Sequence, residues 1–241
     1  MIPYVDMLHY KTQYKLKGKK NPWEAFFSQP PEFDEKYLDL NPPKILSRYS
    51  PPEYEVNNLF TQYDFGLYSE KKKVFDSLFR FSPDITDNLD RIAMDMNISD
   101  CIGVYARGTD YNALKPKNHH IQPSASQLIE KCDEYIKEHD LKIFLVTEDN
   151  SIYSEFLNYY GDRIVKFDED IHFDSYSEKV PLHEKIMSYD SIHVAQVYIK
   201  KILLLSKCKY LVGGKTSGSL WACIFNDEQY KDVYLFDNGV Y

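Results

Sequence analysis

Cysteine is scarce in this 241-residue chain, with Cys101, Cys132, Cys208 and Cys223 as the full set. No two of them form a C-x-x-C pair, and each lies in or beside an apolar segment. They read as buried free thiols of a reducing, cytoplasmic compartment. Positive charge is also in short supply: 29 Lys and Arg face 37 Asp and Glu, a net charge of −8. A surface of that sign argues against nucleic acid as a partner, whose backbone needs a basic face. An anionic small ligand would need local positive groups set into an acidic protein. No stretch reaches the roughly 18 apolar residues of a membrane span, which leaves only peripheral membrane contact open. The first 20 residues lack the basic-then-apolar layout of a signal peptide.

What is present fits a folded globular chain, with 43% hydrophobic and 27% charged residues. Tyrosine is abundant, at 21 residues. Tyrosines line sugar sites, and they also pack at interfaces with the hydroxyl in water. The character of the chain changes near residue 98. Residues 1–65 are rich in Pro, Tyr and Asn and are broken by "QPPEF", "NPPKI" and "SPPEYE". Proline removes backbone donors and fixes φ, so long elements are not expected there. "IPYV" (2–5) reads as a strand and "PWEAFF" (22–27) as a short helix. "SEKKKVFDSLFRF" (69–81) and "SPDITDNLDRIAMDM" (82–96) read as helices, the second with Ser82 as N-cap and Pro83 at the first helical position.

From residue 99 strands and helices alternate. "CIGVYA" (101–106), "KIFLVT" (142–147), "RIVKF" (163–167), "KYLV" (209–212) and "DVYLF" (232–236) are apolar strand candidates. Between them lie helices over 124–139, 151–160, roughly 184–206 and 217–226. The first opens on a Ser124/Gln127 capping box and carries Leu128, Cys132, Tyr135 and Ile136 on one face. Near-continuously apolar strands separated by helices predict a parallel sheet covered on both faces. The expected fold class is therefore α/β, with a Rossmann-like domain over 98–241 and a short α/β part over 1–97. In such a sheet a ligand lies beyond the carboxyl ends of the strands.

That rule selects residues. The strands end in "RGTD", "TEDN" and "GGKTSG". Arg107, Thr147, Glu148, Asp149, Gly214, Lys215, Thr216 and Ser217 should then share one rim. Lys215-Thr216 has the ending of a nucleotide-triphosphate loop, but the opening glycine of that motif would fall on Lys209. What survives is a helix start with free N–H groups and hydroxyls, which is either an anion site or an ordinary capped turn. Arg107 is poorly placed for a core and well placed to grip a phosphate through two parallel bonds. The alternative is a rim salt bridge between Arg107 and Asp110, three residues on.

"GVYARGTDY", "IFLVTEDN" and "LLLSKCKYLVGGKTSGSLWA" resemble, in order and spacing, the three motifs shared by α1,2-, α1,6- and protein O-fucosyltransferases. Those are GT-B enzymes that use GDP-fucose, and the resemblance covers roughly residues 99–241. It implies that Arg107 holds the β-phosphate and is required for activity, with Asp110 as the motif aspartate. Thr147, Glu148 and Asp149 take the second motif, and Thr216 and Ser217 hold the diphosphate in the third. Tyr105 stands in place of the motif histidine, and Gly108 in place of its second arginine where one is present. The resemblance further implies inverting, metal-independent transfer to a glycan acceptor, with Asp110 the nearest candidate base. No cofactor is implied beyond the donor itself.

The chain also departs from that pattern. The position of a guanine-contacting aspartate falls near Lys201, and Leu114 and Lys115 occupy the region of the proposed base. GT-B proteins carry two Rossmann domains, so residues 1–97 are expected to be a partial, acceptor-side region, truncated or naturally minimal. His119 and His120 lie in a polar loop and read as solvent-exposed or acceptor-facing. "FDEDIHFD" (167–174) lacks calcium-loop spacing and reads as a flexible loop at the cleft. His183 carries no signal that separates cleft from surface. The leading expectation is a fucosyltransferase acting on a surface glycan. The alternatives are a transferase for another nucleotide sugar and an inactive nucleotide-sugar or glycan-binding remnant.

Overall fold

The computed structural model describes residues 22–29, 65–174 and 191–241. The expected strand at 2–5, His183 and the first turns of the helix expected over 184–206 lie outside the described residues. Along the chain come α1 (Phe65–Leu78), α2 (Pro83–Thr86), α3 (Leu89–Asp95), β1 (Cys101–Ala106), α4 (Thr109–Leu114) and α5 (Ala125–Glu138). Then follow β2 (Lys142–Thr147), α6 (Asn150–Tyr160), α7 (Ser191–Leu205), β3 (Tyr210–Gly214), α8 (Ser217–Asn226) and β4 (Asp232–Phe236). The four strands form one parallel sheet in the order β2-β1-β3-β4.

The period-2 alternation of a strand splits the core in two. Cys101, Tyr105, Phe144, Val146 and Leu211 face one side, where they pack with Ile202, Leu204 and Leu205 of α7 and Leu220 and Ile224 of α8. Ile102, Val104, Ile143, Leu145 and Val212 face the other, against Leu128, Ile129 and Cys132 of α5 and Ile152 and Phe156 of α6. Burying each such side chain contributes about 1.5–3 kcal/mol. This is why strands with almost no polar residue were required. All four cysteines are buried free thiols within these layers. Among the described residues no helix is long and apolar enough to cross a membrane.

Several elements differ from expectation for identifiable reasons. "RIVKF" forms no strand in the sheet. Ile164 makes a single parallel bridge to Ile143, after which the chain turns away through residues 168–169. The helix expected over 82–96 is broken in two, because Asn88 between α2 and α3 sits at φ 63°. Ser82 makes no side-chain capping bond. Its hydroxyl donates instead to the carbonyl of Ala25, 3.3 Å away. β3 runs on through Gly213 and Gly214, which pair with Leu235 and Phe236 of β4. The capping box of α5 forms as expected, with Ser124 and Gln127 reciprocally bonded. Residues 22–25 form a 3-10 helix, and Trp23 and Phe27 join Phe75, Phe79 and Phe81 in an aromatic cluster that reaches Trp221 and Phe225 of α8.

Candidate functional site

The parallel register brings the carboxyl ends of all four strands to one edge. Ala106 lies opposite Thr147, Tyr105 opposite Gly213, and Gly214 opposite Phe236. The chain leaves β1 toward β2 on one side and returns as β3 on the other. The topological switch point therefore falls between β1 and β3, where a crevice opens in folds of this kind.

Arg107 follows β1 directly. Its Nη1 lies 3.2 Å from Glu148 Oε1, and the two side chains are 20% and 14% exposed. Its guanidinium carbon stands 4.9 Å from the ring centroid of Tyr111. The same Glu148 oxygen accepts from the Gly108 N–H at 3.1 Å and from the Thr109 hydroxyl at 3.0 Å. The Thr109 N–H donates to Asp149 Oδ2 at 2.9 Å. Thr109 is buried and has φ 41°, an outlier for a β-branched residue. Such backbone persists only where its surroundings over-determine it. Here two carboxylates from the end of β2 do so. Gly108 is needed for the same reason, since a Cβ there would fall 2.4 Å from Asp149 Oδ2.

Asp149 also caps α6, its Oδ1 accepting from the N–H groups of Ser151 and Ile152. Burial alone would push its carboxyl up. The bonds from the Ser151 hydroxyl and from the N–H groups of Thr109, Ser151 and Ile152 outweigh burial and hold it below the ordinary carboxylate value. Glu148 and Asp149 thus reach the rim as the struts of the 107–109 loop. Asp110 lies in the first turn of α4, and its side chain is outside the described part of the structure.

On the other side of the switch point, Thr216 is the N-cap of α8. Its hydroxyl accepts from the Ser219 N–H, and the Ser219 hydroxyl accepts from the Thr216 N–H at 3.0 Å while donating to the Gly214 carbonyl at 2.6 Å. The buried Thr216 hydroxyl therefore serves the cap. Ser217, at the first helical position, is exposed. The N–H groups of Ser217 and Gly218 belong to a first turn that has no intrahelical acceptor. Lys215 is paired with Asp237, just past β4, at 2.5 Å.

Tyr105 joins the two sides. It is 3% exposed, and its ring lies so close to α8 that a Cβ on Gly218 would sit 2.3 Å from its Cζ. Its hydroxyl meets that of Tyr198 on α7 at 3.0 Å. Burial pushes the Tyr105 phenol well above its ordinary pKa, and the charges of Glu148 and Arg107 act on it in opposite directions.

Lys201, at the position of the expected guanine contact, is 4% exposed. Its ammonium donates to the Thr147 carbonyl at 2.9 Å and pairs with Asp170. The Thr147 hydroxyl accepts from the Asp149 N–H at 3.1 Å, so Thr147 is also engaged internally. Burial would raise Asp170, but bonds from His172 and Lys201 and the charge of Lys201 outweigh it and hold the carboxyl below its ordinary value. The acidic stretch 167–174 is consequently not a loose loop. Phe173 exchanges backbone hydrogen bonds with Glu148 and Asn150, and Glu169 pairs with Lys200 at 2.9 Å. Its carboxylates neutralise two lysines of α7. His119 stacks edge-on to Tyr111 and bonds to its hydroxyl at 3.0 Å, while His120 bridges to Val240.

Thr109, Asp170 and Tyr198 were missed by reasoning from the sequence. No local signal marks Thr109 or Tyr198. The run of carboxylates around Asp170 was visible, but its lysine partners were not.

No family model matches the sequence, and no curated protein does. Solved structures do match in fold. The fucosyltransferase NodZ from Bradyrhizobium, in selenomethionine form, superposes with a TM-score of 0.52 at 15% identity over 89% of this chain and 77% of that one. NodZ α1,6-fucosyltransferase co-crystallised with GDP does so with a TM-score of 0.50 at 15% identity over 89% and 78%. The chain is an α/β protein whose single described sheet is parallel and whose fold resembles that of NodZ fucosyltransferase.

Proposed function

We propose that the protein is a glycosyltransferase that moves fucose from GDP-fucose to a glycan acceptor with inversion at the anomeric carbon. The observation that carries this reading is the position of Arg107 after β1 and of the amino end of α8 after β3, on the two sides of the β1/β3 switch point, with Tyr105 of β1 packed against α8. The fold shared with a fucosyltransferase crystallised with GDP supports it. On this reading residues 98–241 form a GT-B-like donor domain and residues 1–97 face the acceptor.

Transfer breaks the bond between C1 and the β-phosphate oxygen through an oxocarbenium-like state, and charge accumulates on the departing diphosphate. Preorganised donors aimed at that charge lower the barrier. Arg107 grips the β-phosphate, while the Ser217 hydroxyl and the N–H groups of the first turn of α8 meet it from the other side. The charge is thereby met by protein donors without a metal ion. The acceptor hydroxyl attacks C1 from the opposite face and loses its proton, for which Asp110 is the nearest candidate base. GDP and the fucosylated glycan leave.

One observation favours a second donor. Lys201 is buried against Asp170 and Thr147, so its position offers no carboxylate to a guanine edge. A different nucleotide sugar fits the same diphosphate grip. Calorimetry with GDP, GDP-fucose and UDP-sugars decides between the two. Arg107→Ala should lower transfer about 10²–10³-fold, with the fold retained. A folded Arg107→Ala protein with undiminished activity and donor binding would refute the assignment.

A further inference from the structure

Tyr105 and Tyr198 share one hydrogen bond, and two hydroxyls bring two protons to it. One proton fills the bond and the other must point elsewhere. Tyr105 is 3% exposed, its ring is set against Gly218, and Tyr198 is the described partner of its hydroxyl. Were Tyr198 the donor, the Tyr105 proton would be left over in a buried place, and buried donors are almost always satisfied. Tyr105 is therefore the donor and Tyr198 the acceptor. The Tyr198 proton is then left for an acceptor other than Tyr105.

Tyr198 borders the rim already described, its hydroxyl bonded to that of Tyr105, two residues before Arg107. Arg107, Glu148 and Tyr111 all act electrostatically on Tyr198, and Tyr105 links it to the first turn of α8. Burial pushes the Tyr198 phenol above its ordinary pKa, so it stays protonated and able to donate through the neutral range. A neutral donor beside a guanidinium and a helix amino end suits an acceptor-only, polyanionic group.

We propose that Tyr198 donates its phenolic proton to a diphosphate oxygen of the donor, held in that orientation by Tyr105. The proposal rests on the nucleotide-sugar reading of the site and adds a residue to it from α7. No covalent step is involved, and the phenol keeps its proton throughout.

The test is calorimetric titration of inorganic pyrophosphate, GDP and UDP into wild type, Tyr198→Phe, Tyr105→Phe and Arg107→Ala, with a melting curve for each. Tyr198→Phe should weaken all diphosphates that bind wild type by the same factor, about ten- to a hundredfold, and should melt a few degrees lower, because the buried Tyr105 donor loses its acceptor. Tyr105→Phe should give a smaller loss, because the Tyr198 donor remains but is no longer oriented. Wild-type affinity in Tyr198→Phe, alongside lost binding in Arg107→Ala, overturns the role of Tyr198 and leaves the transferase reading intact. A loss confined to one nucleotide puts Tyr198 at the base and likewise overturns it. Wild type that binds neither pyrophosphate nor either nucleotide overturns both.

Discussion

Gly218→Ala tests the contact that joins the two halves of the rim. In an ordinary helix this change stabilises, by about 0.4–1 kcal/mol, because alanine has less unfolded-state freedom to lose. Here the added Cβ would meet Tyr105 Cζ at 2.3 Å and its Cε2 and hydroxyl oxygen at 2.5 Å. The ring cannot swing aside, since Tyr105 is 3% exposed within the core that contains Phe144, Leu211 and Leu220. Overpacking of this kind costs about 1–3 kcal/mol and outweighs the helix gain. For a chain of this size each kcal/mol moves the melting temperature by about 2–4 °C. Gly218→Ala should therefore melt several degrees below wild type and bind GDP more weakly, as the Tyr105–Tyr198 pair is displaced. Tyr105→Leu removes the clashing ring atoms, so adding Gly218→Ala to it should cost less than in wild type. Tyr105→Phe should give no such relief, because the closest atom is a ring carbon that phenylalanine keeps. Differential scanning calorimetry of the three single and two double variants measures the coupling. A Gly218→Ala protein that melts at or above the wild-type temperature would refute the seating of Tyr105 on α8.

Thr216 and Ser217 should separate cleanly: Thr216→Ala loses the cap and about 1 kcal/mol of stability in chemical denaturation. Ser217→Ala should stay within about 0.5 kcal/mol of wild type yet bind pyrophosphate several-fold more weakly. Lys201→Met leaves Asp170 buried without its ammonium and should destabilise by about 3–5 kcal/mol in urea unfolding, with part of the loss recovered by adding Asp170→Leu. Asp149 has a folded-state pKa held below its unfolded value near 4, so its contribution is complete above about pH 4 and is lost as pH falls through the lower folded value. Asp149→Asn should accordingly be less stable than wild type at pH 7 and lose less stability on acidification, and parallel pH profiles for the two proteins would count against the strut assigned to Asp149.

The parts of the molecule that could be read in advance are those set by a period or a strand end. β1, β2 and β3 are buried on both faces, so their sequences had to be apolar throughout, and a parallel sheet carries every carboxyl end to one edge whatever the loops contain. That is enough to bring Arg107, Glu148, Asp149, Thr216 and Ser217 to a common rim. It is not enough to say what each does there. "RIVKF" has a strand's composition, but composition does not reveal that its backbone finds one bridge and then turns off. The carboxylates of 167–174 suggested a flexible loop at the cleft because their partners, Lys200 and Lys201, lie 31 residues from Glu169 and Asp170. Thr109 is held at φ 41° by two carboxylates about 40 residues away, and a threonine gives no local hint of such backbone. Tyr198 hides in the apolar pattern of α7. What decides each role is the direction of a single oxygen. In Glu148, Oε1 braces three donors of the Arg107 loop, and the same carboxylate turned outward would repel a diphosphate. If Arg107 holds an anion as proposed, the acidic rim does not oppose it, because these carboxylates are turned onto the guanidinium and the backbone beside it.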